Sequence, residues 1–139
     1  MEIAYTAIAH ATGGGRDGHV RSEYDLLDLD TRPPKEMGGN GEGTNPEQLF
    51  AAGYAACFLS AMHLVGRQLG VDTTDAGVSA SVGIGPNGEG GFGLAVELHV
   101  YTPQVPVERR QELADAAHTV CPYSNATRGN IEVTLTQVD

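Results

Sequence analysis

Between Pro46 and Leu69 no proline interrupts the chain, and Phe50-Ala51-Ala52-Gly53-Tyr54-Ala55-Ala56-Cys57-Phe58-Leu59-Ser60-Ala61-Met62 is apolar at nearly every position. The flanks read as helix ends. Asn45 can cap, Pro46 suits the first helical position, Glu47 lies where the helix dipole favours an acid, and Gly70 closes the run. This predicts a helix over 46–69. A helix apolar all round is buried on all sides. In a chain of 139 residues that points to burial against a second subunit. Ala52, Gly53, Ala55 and Ala56 are small enough to let another helix approach closely.

The remainder reads mainly as strands. Met1–Thr12 alternates, with Ile3, Tyr5, Ala7 and Ala9 on one side. The glycine turn at 13–18 follows, and His19–Leu29 alternates weakly enough to pair back as a hairpin. Thr31–Thr44, with Pro33, Pro34 and four glycines, reads as a long loop. Beyond the helix, Gly77–Gly85 and Phe92–Tyr101 alternate about a glycine-rich turn and predict a second hairpin. Helical spacing returns over Pro106–Val120. Pro122–Ala126 can start a short helix capped by Cys121, and Ile131–Val138 reads as a last strand. The predicted fold class is α+β, antiparallel strands around a long central helix, in the order β-β-loop-α-β-β-α-β. One domain spans residues 1–139, with no repeat or linker.

Charge narrows the partners. Eight Lys and Arg against 18 Asp and Glu leave a formal net charge of −10, the wrong sign for nucleic acid or an anionic membrane surface. No apolar run approaches the roughly 20 residues of a bilayer span, and no secretory signal is visible, so the expected compartment is the cytoplasm.

Few motifs carry chemistry. Gly83-Ile84-Gly85-Pro86-Asn87-Gly88 spells G-x-G-x-x-G, but a predicted strand follows where a dinucleotide site needs a helix. Asn125-Ala126-Thr127 spells a glycosylation sequon, which a cytoplasmic chain does not use. None of the five histidines has metal-ligand spacing, and His63 and His118 read as a packed and a surface residue. Ser60 lacks the nucleophile-elbow sequence. Two cysteines remain, Cys57 and Cys121. Each is either a small buried apolar residue or half of a redox pair. A reactive Cys57 inside an apolar helix needs a cation brought to it. Arg16, in its glycine turn, is either that cation or a solvated turn residue, and Glu47 has the plain reading of a first-turn acid. Cys121 at a helix N-terminus would be favoured as thiolate, or is simply a helix-terminal apolar residue.

Three segments together resemble one family. Thr44-Asn45-Pro46-Glu47-Gln48-Leu49-Phe50-Ala51-Ala52-Gly53-Tyr54-Ala55-Ala56-Cys57-Phe58 is similar to the core of the organic hydroperoxide resistance proteins, part of the wider group of osmotically inducible peroxidases. Val120-Cys121-Pro122-Tyr123-Ser124-Asn125-Ala126-Thr127-Arg128-Gly129-Asn130 resembles the second signature of that family, and Gly14-Gly15-Arg16-Asp17-Gly18 the third. The resemblance spans essentially the whole chain.

The resemblance implies a cysteine-based peroxidase that reduces organic hydroperoxides. Cys57 would be the peroxidatic thiol and Cys121 the resolving one. Arg16 would hold Cys57 as thiolate, and Glu47 would pair with Arg16. It further implies an intertwined homodimer with its sites at the interface, and dihydrolipoamide or a lipoylated protein as reductant. That chemistry needs no metal, flavin or haem. Phe50, Phe58, Met62 and the 31–44 loop are candidate walls for an organic tail, or ordinary core and linker. The alternative is a small-molecule binding or stress-response module with inert thiols. One spacing bears on the dimer. Glu47 and Cys57 are ten positions apart, which on a continuous helix is a rise of about 15 Å and a rotation that leaves their side chains about 80° apart. A glutamate cannot span that. For Glu47 to serve Cys57, either the helix breaks between them or Glu47 arrives from a second subunit. No proline breaks the run and Gly53 alone rarely does. The expectation is a two-fold dimer in which each site borrows Glu47, and Arg16 with it, from the neighbour.

Overall fold

A computed structural model describes the whole chain, Met1–Asp139, as two compact units, Met1–Leu49 and Phe50–Asp139.

The first unit holds a three-stranded antiparallel sheet in the order β1-β2-β3, from β1 (Ala9–Gly13), β2 (Gly18–Ser22) and β3 (Asp28–Thr31). Two expectations change here. The first strand starts at Ala9, not Met1. Its ladder ends at the Ala9–Ser22 pair because β2 stops there, so Met1–Ile8 has no strand to join, and Ile3 and Tyr5 stay exposed. The single strand expected over His19–Leu29 is two strands. Tyr24 (φ 61°) and Asp25 (φ 55°) take left-handed backbone between them. Ser22 closes the turn: its N–H donates to Leu27 O, and its Oγ accepts from Leu27 N–H, both at 2.9 Å. A Tyr-Asp turn without glycine leaves no mark in the alternation. The 31–44 loop is tied at its ends, where Arg32 N–H donates to Thr44 O and Thr44 N–H to Asp30 O, each at 2.9 Å.

Helix α1 (Pro46–Leu69) runs unbroken from the end of this unit into the next. Asn45 caps it, its Oδ1 accepting from Gln48 N–H at 2.8 Å, and Gly70 ends it at φ 68°. At 24 residues α1 is long and apolar enough to pass for a bilayer span by composition, contrary to the expectation that no segment approaches one. Alanine, glycine and serine between the large side chains keep it apolar without a continuous run of bulky residues.

The second unit packs α1 and α2 (Val107–Val120) with the sheet β4-β5-β6, made of β4 (Gly77–Pro86), β5 (Phe92–Tyr101) and β6 (Glu132–Val138). One core joins Tyr54, Phe58, Met62 and Val65 of α1, Val96, Leu98 and Val100 of β5, and Leu113 and Ala117 of α2. Within a single chain α1 buries one stripe. Tyr54, Phe58, Ala61, Met62 and Val65 are buried, while Ala52, Ala56, Ser60 and Leu64 are exposed. The hairpin β4–β5 is antiparallel as expected, and the glycine spelling at 83–88 ends a strand and enters its turn, with β5 and no helix after it. β6 departs from the expected antiparallel pattern and pairs parallel to β5. Helices α2 and α3 (Pro122–Thr127) form the crossover that a parallel return requires. The α+β class holds, with β3 and α3 added to the expected order.

The cap carries a test. Asn45→Ala should lower stability by about 1 kcal/mol, the usual cost of a lost helix cap, and Asn45→Asp should lose little. Urea unfolding midpoints at constant slope would show the difference.

Candidate active site

Two pairs of side chains stand out, one in each unit. In the first, the turn between β1 and β2 carries Arg16. Gly13 and Gly15 supply φ values of 69° and 74° that other residues adopt at a cost, and a side chain on Gly18 would run into the Thr12 carbonyl. The turn is gripped from β3 by Thr31, which is 1% exposed. Its hydroxyl accepts from Gly18 N–H at 2.9 Å and donates to Gly15 O at 2.6 Å. Arg16 therefore leaves a braced turn, and its guanidinium forks onto Glu47, with Nη1–Oε2 at 3.0 Å and Nη2–Oε1 at 2.7 Å. Two parallel charge-assisted bonds orient both groups. Arg16 holds the Glu47 carboxyl below its ordinary range against the opposing effect of burial, and Glu47 raises the Arg16 guanidinium in turn.

The second pair is Cys57 and Cys121, both free thiols. Cys57 sits on α1 beside the buried stripe and is half-buried, while Cys121 is fully buried as the residue that caps α3. The Cys121 thiol donates to Cys57 Sγ at 3.7 Å. A disulfide needs about 2.05 Å between sulfurs, so a small movement separates this pair from a bond. Burial pushes the Cys57 thiol up, the backbone N–H of Tyr123 pulls it down, and the Cys121 sulfur adds to the rise.

An aromatic triad packs in the same core as the two cysteines. Phe50 meets Tyr54 at 6.1 Å and Tyr123 at 5.8 Å, both edge-on, and Tyr54 meets Tyr123 at 5.5 Å. Gly53 is the residue that lets Tyr123 in, since a Cβ there would stand 2.5 Å from the Tyr123 hydroxyl. Of the candidate walls, Phe58 and Met62 are wholly buried core, and Phe50, itself one ring of the triad, is half-buried.

All four residues singled out in the sequence thus fall into the two pairs, Arg16–Glu47 and Cys57–Cys121. Sequence reasoning missed Thr31, which no local signal marks. It also missed the hydroxyls of Tyr54, Ser124 and Thr127. Tyr54 had a usable signal, because a tyrosine inside an apolar helix must find a partner for its hydroxyl. His63, read as packed, is half-buried with Nδ1 2.7 Å from Thr73 Oγ1. His118, read as a surface residue, is half-buried with Nδ1 2.8 Å from Ser124 Oγ.

Comparison with known proteins gives the arrangement relatives. Residues 39–136 match the family of OsmC-like proteins. The organic hydroperoxide resistance protein of Xanthomonas axonopodis pv. citri is 53% identical over 97% of this chain and 95% of its own length. The crystal structure of an organic hydroperoxide resistance protein from Elizabethkingia anophelis, with thiocyanate bound, superposes at a TM-score of 0.93. It is 54% identical and is covered over 99% of its length by the whole of this chain. A Legionella pneumophila structure of the same description gives 0.93 at 45% identity, over 99% of this chain and all of the other.

The fork predicts a pH-dependent contribution to stability. Because folding lowers the Glu47 titration from its reference of 4.5, its stabilisation is complete above that pH and is lost as pH falls through the lower folded value. Glu47→Gln should cost on the order of 1 kcal/mol at neutral pH, allowing for the partial exposure of Arg16. The gap from the unsubstituted chain should close below pH 4.5, read from urea midpoints across a pH series.

Proposed function

The chain belongs to the OsmC-like family, among its organic hydroperoxide resistance proteins, and from that premise we propose that it is a thiol peroxidase that reduces organic hydroperoxides to alcohols. The observation that carries this reading is the pair of free sulfurs 3.7 Å apart, one half-buried beside aromatic rings and the other fully buried.

The Cys57 thiolate attacks one peroxide oxygen. The O–O bond breaks, the alkoxide takes a proton and leaves as alcohol, and the sulfur keeps a hydroxyl as sulfenic acid. The Cys121 thiolate then attacks Cys57 Sγ. The S–O bond breaks, hydroxide leaves as water once protonated, and the disulfide forms. A dithiol, dihydrolipoamide or a lipoylated protein, returns the two electrons by thiol–disulfide exchange. The apolar rings accommodate the organic tail, and the reaction runs in the cytoplasm.

Ionisation is the demanding step, because burial raises Cys57. A guanidinium close to the sulfur would reverse that rise. Arg16, oriented by Glu47, is the group for it. Since α1 is unbroken from Glu47 to Cys57, the ten-residue separation argues that the Arg16–Glu47 pair serves the Cys57 of a second copy. The exposed stripe of Ala52, Ala56 and Ser60 suits a helix from that copy, giving a two-fold homodimer. The raised Cys57 thiol also favours a second reading, a binding module with inert thiols. One equivalent of cumene hydroperoxide separates them. A peroxidase loses both titratable thiols and regains them with dihydrolipoamide, whereas inert thiols react only after denaturation.

Two outcomes are expected of variants. Cys57→Ser should abolish peroxide consumption, and Cys121→Ser should complete one turnover and then accumulate sulfinic acid at Cys57, followed by stopped-flow and intact mass. Repeated turnover by Cys121→Ser with a dithiol would remove its resolving role. Mixing inactive Cys57→Ser and Glu47→Ala chains should restore part of the activity, because each heterodimer then holds one site with both residues intact. Heterodimers confirmed by mass yet inactive would place the pair within one chain.

A further inference from the structure

Helix α3 has six residues, too few to persist without tertiary support. Its cap residue, Cys121, makes no side-chain capping bond. Yet α3 carries at its start the Cys121 sulfur, 3.7 Å from that of Cys57. The polar contacts that fasten it come from inside the core. Tyr54, on α1 one turn before Cys57, is completely buried, as is Ser124, and Thr127 is 2% exposed. Tyr54 Oη lies 2.8 Å from Ser124 Oγ and 3.2 Å from Thr127 Oγ1. His118 Nδ1 lies 2.8 Å from Ser124 Oγ on the other side.

These groups close into one satisfied chain. The Thr127 hydroxyl donates to Ser124 O at 3.1 Å, which leaves its oxygen to accept from the Tyr54 hydroxyl. Tyr54 oxygen then accepts from Ser124, and Ser124 oxygen accepts from His118 Nδ1–H. Each hydroxyl donates once and accepts once. A phenylalanine at 54 would fill the same space among the rings but would leave two buried hydroxyls on α3 short of a partner, which is costly in an apolar interior.

We propose that the Tyr54 hydroxyl, acting through Ser124 and Thr127, is a positioning group that docks α3 onto α1, and thereby sets the distance from Cys121 to Cys57. Its meaning for catalysis rests on the peroxidase reading, since it governs how fast the sulfenic acid is resolved relative to its over-oxidation by a second hydroperoxide.

The test uses Tyr54→Phe and, independently, Ser124→Ala. With diamide as the oxidant, the Cys57–Cys121 disulfide should form about tenfold more slowly in either variant, because the two sulfurs lose their fixed separation. After a hydroperoxide pulse, the sulfinic fraction by mass should rise several-fold. The double variant should do no more than the stronger single one, because the two hydroxyls act as one unit. A diamide-driven disulfide rate and a disulfide-to-sulfinic ratio unchanged in both variants, even with a lower melting temperature, would reduce Tyr54 to a packing residue and overturn the proposal. The diamide reaction needs no peroxide. An unsubstituted chain that reduces no hydroperoxide, with variants that still slow the diamide-driven disulfide, would therefore sink the peroxidase reading and leave the positioning role standing.

Discussion

Helix α1 has one stripe to bury within its own chain, the side chains of Tyr54, Phe58, Ala61, Met62 and Val65, and seating that stripe in the core sets the direction of every other side chain on the helix. Neighbouring positions differ by about 100° around the axis. Cys57, next to Phe58, therefore comes out at the edge of the stripe, half-buried and 3.7 Å from the Cys121 sulfur. One position further round, Ala56 is exposed. The α2–α3 crossover completes the arrangement, because β6 must return parallel to β5 and the chain between them brings Cys121 past α1.

That location sets two physical demands against each other. A sulfur beside aromatic rings is well placed for an organic substrate, but loss of water raises its titration. Within its own unit, the Tyr123 N–H is what opposes the rise. The Arg16–Glu47 fork provides the complementary element, a guanidinium fixed in orientation by two short bonds on a turn braced by Thr31. The proposed dimer unites the two, and the reading of this chain as a peroxidase depends on that union more than on either pair alone.

Buried hydroxyls have a part in this as definite as that of the sulfurs. Thr31 and Tyr54 each join a functional segment to a neighbouring element through side-chain hydrogen bonds. In both cases an apolar residue of similar size would fill the space and lose the register. Such groups hold one arrangement among several that packing alone would permit.

Local chemistry explains what could be read from the sequence. Asn45, Pro46 and Gly70 mark the ends of α1 with capping groups that act within one turn, and Phe92–Tyr101 shows its strand by strict alternation. The long motifs around Cys57 and Cys121 indicated the family, and with it the four residues that the fold gathers into two pairs. Other features depend on partners distant in sequence. The turn at Tyr24–Asp25 contains no glycine to announce it, the parallel pairing of β6 is decided by a crossover, and the single buried stripe of α1 by which face meets the sheet. Tyr54 and Ser124 are 70 positions apart. The sequence by itself determined the ends of α1, the β4–β5 hairpin and the family, because each is written within a few residues or a long motif. Only the tertiary structure decided which side chains meet across such separations, because those contacts form where whole elements pack.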